Sequence, residues 1–165
     1  MSDKIWLRSY PPGMPAEIGI SPFSSVPELL EDTIRRYADK PAFHNLGHTI
    51  SFSELDRLSR DLAAYLQSLS GLTKGERVAI MLPNLLQYPV VLFGILRAGL
   101  TVVNINPLYT ARELEFQLKD SGARAIIILE NFAVTLQNVL PNTAIRHVIC
   151  TLVGDLLPAS KRWLV

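Results

Sequence analysis

"LRAGLTVVNINPLYTARELE", residues 96 to 115, decides the fold. Gly99 closes a helix, "LTVVNI" is a short run rich in β-branched residues, and Asn106 with Pro107 stops it. Thr110 followed by Glu113 then opens another helix with the spacing of a capping box. A helix, a strand, a turn and a second helix in so short a span is the rhythm of a parallel sheet. The strand ends in Asn104, Asn106 and Pro107, so the chain presents a crevice there, yet no residue in it is an obvious catalyst.

Upstream, residues 78–82 of "GERVAIML" form a continuous apolar strand, the pattern of a strand covered on both faces. Pro83 ends it, and Asn84 with Gln87 reads as a further capping box for a helix over 85–98. That helix is apolar nearly all round, which predicts burial between layers, and Pro89 a turn inside predicts a bend. Downstream come the helix "TARELEFQLKDSG", the strand "ARAIIILE", a weaker helix over 132–140 and the strand "RHVICT". Four strands alternating with three helices between residues 77 and 151 predict an α/β fold with a mostly parallel, doubly wound sheet and flanking helices.

Two helices precede this core. Ser25 with Glu28 caps one, with Val26, Leu30, Ile34 and Tyr37 on one face. Ser51 with Glu54 caps the other, whose stripe is Leu55, Leu58, Leu62, Leu66 and Leu69. Between them "AFHNLGHTIS" reads as a hairpin turning at Leu46 and Gly47. Residues 1–24 are rich in Pro, Gly and Ser and read as an extended arm, and 25–151 form the body. In 152–165, Leu152, Leu156, Leu157, Trp163, Leu164 and Val165 are costly to leave in water, so this stretch reads as the start of a further segment.

Composition narrows the function. At 165 residues and 48% hydrophobic content the chain suits one ordinary domain. A net charge of +1 provides no field to favour nucleic acid or an anionic bilayer as partner. The single Cys150 excludes an internal disulfide and fits a reducing compartment. No signal peptide is expected ahead of Pro11 and Pro12, and the longest apolar run, 89–96, is far below the about 20 residues a membrane-crossing helix needs.

Chemistry is sparse. The connections after the strands are Pro83-Asn84, Asn106-Pro107-Leu108-Tyr109 and Glu130-Asn131, none of them a glycine-rich phosphate cradle. Asn104, Asn106 and Tyr109 could give amide and hydroxyl hydrogen bonds at a strand end, with N–H donors from the helix after Thr110; ordinary turn chemistry explains the same residues. His44 and His48 lack further ligands at metal spacing and read as surface residues. His147 and Cys150 fall on opposite faces of a strand, and Cys150 reads as a core thiol. Asp32 with Arg35 and Arg36, and Glu54 with Arg57, read as solvent-facing helical pairs. Lys161, Arg162 and Trp163 read as a linker or helix edge rather than a phosphate contact.

The run "ISFSELDRLSRDLAAYLQ" followed by "KGERVAIMLPNLLQYPVVLFGILRAGLTVVNINPLYTARELEFQLKDSGARAIIIL" closely resembles the N-terminal part of the adenylate-forming ligases. The opening "IWLRSYPPGMPAEI" and the phrase "NPLYTARELEFQLKDSGA" resemble their bacterial long-chain fatty acid to coenzyme A branch. The resemblance implies the first subdomain of that N-terminal domain, incomplete. It also implies a two-step reaction: a fatty carboxylate attacks ATP with magnesium present, giving acyl-adenylate and pyrophosphate, and the thiol of coenzyme A then displaces AMP. By the same resemblance Asn106, Pro107 and Tyr109 lie where the pantetheine arm or acyl pocket is completed, and no catalytic or metal-ligating role falls on any residue. The Thr/Ser/Gly-rich phosphate loop and the domain with the catalytic lysine are absent from the sequence. The chain is therefore expected to hold no ATP, magnesium or coenzyme A alone, and to be inactive without the remainder of the ligase or a complementary fragment; a homodimer is also open. No nucleic-acid partner is expected. A cytoplasmic place with transient contact at the inner membrane surface is what the resemblance implies. The competing reading is a non-catalytic module that pairs with another subunit.

Overall fold

The computed structural model describes residues 4–162. Along them run α1 (Val26–Tyr37), β1 (Pro41–Asn45), β2 (His48–Ser51), α2 (Phe52–Ser68), β3 (Arg77–Met81), α3 (Gln87–Arg97), β4 (Thr101–Asn104), α4 (Ala111–Ser121), β5 (Ala125–Leu129), α5 (Ala133–Val139), β6 (His147–Thr151) and α6 (Ala159–Arg162). β1 and β2 form an antiparallel hairpin, and the other strands form a parallel sheet in the order β4-β3-β5-β6. The expected doubly wound α/β sheet is present. Its direction of winding reverses at β3: the chain goes out to β4, then returns across β3 to β5 and β6.

Both faces of the central strands β3 and β5 are covered, which is why they read as unbroken apolar runs. Val78, Ile80, Leu82, Ala125, Ile127 and Leu129 join a cluster with Ala63 and Leu66 of α2 and Val91 and Ile95 of α3. The alternate residues Ala79, Met81, Ile126 and Ile128 pack with Leu114 and Leu118 of α4 and Leu136 and Val139 of α5. A third cluster, Leu30, Ile50, Leu55, Leu86 and Val90, seats α1 and the hairpin against α2 and α3. In α1 only part of the expected stripe is inside: Leu30 is buried and Ile34 packs beside it, while Val26 and Tyr37 are exposed.

The α2–α3 contact is made close by Gly94, where a Cβ would stand 2.8 Å from Leu62 Cδ2. At the end of α3, Arg97 turns back under α2. Its side chain is 7% exposed, and its Nη2 lies 2.6 Å from Asp56 Oδ1, to which Arg60 Nε also donates at 2.9 Å. Arg97 Nε and Nη2 have no well-aligned acceptor, so the contact is an ion pair more than a directed hydrogen bond.

Several sequence expectations are corrected. Asn84 and Gln87 form no capping box: the residue before the first turn of α3 is Leu86, with no side-chain cap. Gln87 is instead buried, and its Nε2 donates to the carbonyls of Leu152 at 2.7 Å and Val153 at 3.3 Å. Because α3 starts at Gln87, Pro89 falls in its first turn, where a backbone N–H has no helical partner to lose. The expected cause of a bend is therefore missing. Arg57 pairs with Asp61 at 3.3 Å rather than with Glu54, while Asp32 does pair with Arg35 and Arg36. Cys150 is exposed, because β6 is an edge strand whose face toward Val148 and Cys150 is left uncovered.

The stretch after β6 packs in part on the body. Val153 packs on the first cluster, Leu156 on the third, and Leu157 is buried, whereas Leu152 is half exposed. Trp163, Leu164 and Val165 lie outside the described residues.

Candidate functional site

In sheets of this strand order, ligands bind beyond the C-terminal strand ends, where the winding reverses. Here those ends belong to β3, β4 and β5. Ile105 continues β4 inward, buried and bonded through its N–H to Ile80 O at 2.9 Å, so the next residues emerge at a fixed point. Asn106 to Tyr109 form a turn: Tyr109 N–H donates to Asn106 O at 3.1 Å, and Leu108 N–H donates to Asn106 Oδ1 at 3.0 Å. Pro107, in the second position of this turn, has the backbone angle it requires already set by its ring. The structure thus brings Asn106, Pro107 and Tyr109 into one rigid turn. The Asn106 side-chain oxygen braces that turn, and Tyr109 rests half-buried on the second cluster.

Thr110 then starts α4 with a complete capping box. Glu113 N–H donates to Thr110 Oγ1 at 3.4 Å, and Glu113 Oε2 accepts from Thr110 N–H at 2.9 Å and Oγ1–H at 2.7 Å. These bonds from the Thr110 side chain and backbone hold the Glu113 carboxyl below its ordinary value. Thr110→Ala is expected to cost about 1 kcal/mol of stability in urea unfolding at neutral pH. A loss below about 0.3 kcal/mol would mean the box does not form.

Two residues absent from the sequence reading complete the strand end. Tyr88 in the first turn of α3 donates its hydroxyl to Asn104 Oδ1 at 3.0 Å, and Gln117 of α4 donates Nε2 to Asn104 O at 2.9 Å. Asn104 therefore joins α3 to α4 across the end of β4. Nothing in linear spacing reveals this, since the partners lie in three different elements. Beside the turn, Tyr109, Arg112, Glu113, Phe116 and Gln117 line an open groove of 580 Å³, with Phe116 largely exposed. On the other side of Tyr88, Asn45 Nδ2 donates to Asn84 O at 3.1 Å, tying the hairpin to the end of β3. Among the described residues no three of His, Cys, Asp and Glu come together as metal ligands. His44 Nδ1 lies 2.6 Å from the Thr49 hydroxyl, and His147 Nε2 lies 2.9 Å from Ser70 O.

A triphosphate does not fit these strand ends. The first turn of α3 contains Pro89, which has no N–H to give. At the start of α4 the Glu113 carboxylate already accepts the Thr110 N–H and hydroxyl, setting a negative charge there, and Glu130 stands ahead of α5. The region offers amide and hydroxyl groups, an aromatic wall and a turn fixed by its own hydrogen bonds. Such groups can hydrogen-bond to and pack against a ligand.

A family model described as AMP-binding enzyme matches residues 30–165. The chain is 57% identical over 163 residues to a long-chain-fatty-acid–CoA ligase of Yersinia pestis, a match covering 99% of this chain and 29% of that protein. Among solved structures it is similar to a long-chain-fatty-acid-CoA ligase from Archaeoglobus fulgidus, with a TM-score of 0.74 at 25% identity, covering 88% of this chain and 32% of that one. It is also similar in fold to an anthranilate CoA ligase in complex with anthranoyl-AMP, with a TM-score of 0.75 at 22% identity, covering 80% of this chain and 26% of that one. The chain matches the N-terminal part of the long-chain ligases and spans 29% of the length of the Yersinia relative.

Proposed function

The chain belongs to the AMP-binding enzyme family, and we propose on that premise that it supplies the N-terminal α/β scaffold of a long-chain fatty acid–CoA ligase. The identity of 57% over 163 residues to a ligase of that name carries the reading. In it, the turn of Asn106, Pro107 and Tyr109 forms one wall of the acyl or pantetheine side of the site, held in place by the Tyr88–Asn104–Gln117 bonds. The ATP, magnesium and coenzyme A that such an enzyme uses are gripped chiefly by polypeptide beyond these residues, in keeping with strand ends that do not fit a triphosphate. Its partner is accordingly the remainder of the ligase. On this reading the protein works in the cytoplasm and meets its fatty substrate transiently at the inner membrane surface. No described helix is long and apolar enough to cross a membrane.

The test is an assay of oleate- and ATP-dependent thioester formation. The 165-residue chain is expected to be inert alone and to give acyl-CoA when mixed with the remaining portion of a related ligase. Turnover by the chain alone would contradict the reading, as would no turnover from two folded parts that bind one another.

One observation favours a second reading, a stand-alone module that pairs with another subunit. Val153, Leu156 and Leu157 already pack within the chain, as that reading requires. The uncovered face of β6 at Val148 and Cys150 favours the first.

A further inference from the structure

The segment following β6 does more than leave the sheet. To travel from the end of β6 to Gln87 at the start of α3, it must pass the end of β5, because β5 lies between β6 and β3. Along this path Val153 settles on the cluster that contains Leu82 and Leu129, at the ends of β3 and β5. The segment therefore lies over the α3 side of the place where a sheet of this order opens to ligands.

It is held from two directions. At its near end the buried amide of Gln87 donates to the carbonyls of Leu152 and Val153, while Asp155 Oδ2 accepts from Leu152 N–H and the Thr151 hydroxyl, both at 2.8 Å. At its far end Lys161 Nζ donates to the carbonyls of Leu46 at 3.2 Å and Gly47 at 3.1 Å, in the hairpin turn. That turn is itself unusual. Both of its central residues have positive φ, 49° at Leu46 and 67° at Gly47, a conformation that suits glycine and not leucine. A cation bridging two carbonyls supports a turn of this kind, because their dipoles converge on the charge. Between the two anchors Leu157 is buried, while Pro158, Ala159 and Ser160 are exposed.

We propose that residues 152–161 are a latched strap running from the C-terminal ends of β5 and β3 to the hairpin turn, with Gln87 as its fixed hinge and Lys161 as its releasable catch. The asymmetry of the anchors sets these roles. Gln87 is buried, so water cannot replace its bonds without unpacking the segment, whereas the Lys161 ammonium can exchange carbonyls for water on the surface. Opening at Lys161 lifts Leu156 off the third cluster and Leu157 out of its buried place, while Val153 stays on the strand ends and the sheet is intact. The inference concerns this chain's own motion and does not depend on the ligase reading.

Hydrogen exchange of the 165-residue chain read by NMR tests it, comparing the native sequence with Lys161→Met and with Gln87→Met. In Lys161→Met the amides of Leu157 and Lys161, which donate to Gly154 O and Pro158 O, are expected to exchange about tenfold faster or more, while those of β3 and β5 keep native rates. In Gln87→Met the acceleration should extend to Leu152 and Asp155. Native exchange in Lys161→Met would overturn the proposal. So would acceleration spread evenly into β3 and β5, which would make the segment an ordinary part of the core.

Discussion

Asp56→Ala lowers the unfolding free energy by about 3 kcal/mol at neutral pH, since it strands a nearly buried guanidinium. Arg97 has 7% of its side chain exposed, and Asp56 is the carboxylate that faces it. The figure sits at the low end for a broken buried pair because the Asp56 side chain is 23% exposed and water can partly replace it. The effect also has a pH signature. Burial pushes the Asp56 carboxyl upward, but the hydrogen bond from Arg60 and the close charges of Arg97 and Arg60 outweigh it and hold the group below its ordinary value. Its contribution is thus complete above the unfolded-state pKa and is lost as pH falls through the lower folded value. Urea unfolding at pH 7 and at successively lower pH should show the native protein and Asp56→Asn converging in acid. A difference at pH 7 below about 0.5 kcal/mol would show the pair to be a surface contact.

Gly94→Val is expected to cost about 3 kcal/mol, because the α2–α3 seam has no room for a branched side chain. A Cβ there meets Leu62 Cδ2 at 2.8 Å, Cγ at 3.0 Å and Cβ at 3.1 Å, so the helices must separate or Leu62 must leave its place in the core. Gly94→Ala should cost less, since alanine regains about 1 kcal/mol of helix propensity against the same crowding. Thermal unfolding should place Gly94→Val about 10 °C below the native protein. The double variant with Leu62→Ala should recover part of the loss relative to Leu62→Ala alone, because the two changes share one space. A Gly94→Val protein that melts with the native one would show that the seam is loose.

The elements that pack on both sides were the legible ones. β3 and β5 appear in the sequence as continuous apolar runs, and α2 as a leucine stripe, because burial acts on every residue of those spans and leaves a period. Capping was readable only where it is local: Thr110 and Glu113 form the box their spacing predicts, and Ser25 does accept from Glu28 N–H at 3.3 Å. Glu28 itself reaches Ser24 instead. Gln87 had the spacing of a cap, but a tertiary demand from the segment after β6 claimed its amide, and no local pattern encodes that demand. Cys150 misled for a related reason. Its neighbours in sequence are apolar, and whether a strand is central or at an edge is a property of sheet order, not of the strand.

The candidate site was legible as a place more than as a set of contacts. The stretch from Asn104 to Thr110 marks a strand end with fixed turn chemistry, and the structure puts Asn106, Pro107 and Tyr109 there. The bonds that fix its surroundings, Tyr88 to Asn104 and Gln117 to Asn104, join residues with no common spacing.

Calorimetric titration of the 165-residue chain with ATP and magnesium tests the central claim most directly. If these strand ends lack the donors to hold a triphosphate, no saturable heat appears and any affinity is weaker than about 1 mM. Stoichiometric micromolar binding by this chain alone would show that its own strand ends grip the nucleotide.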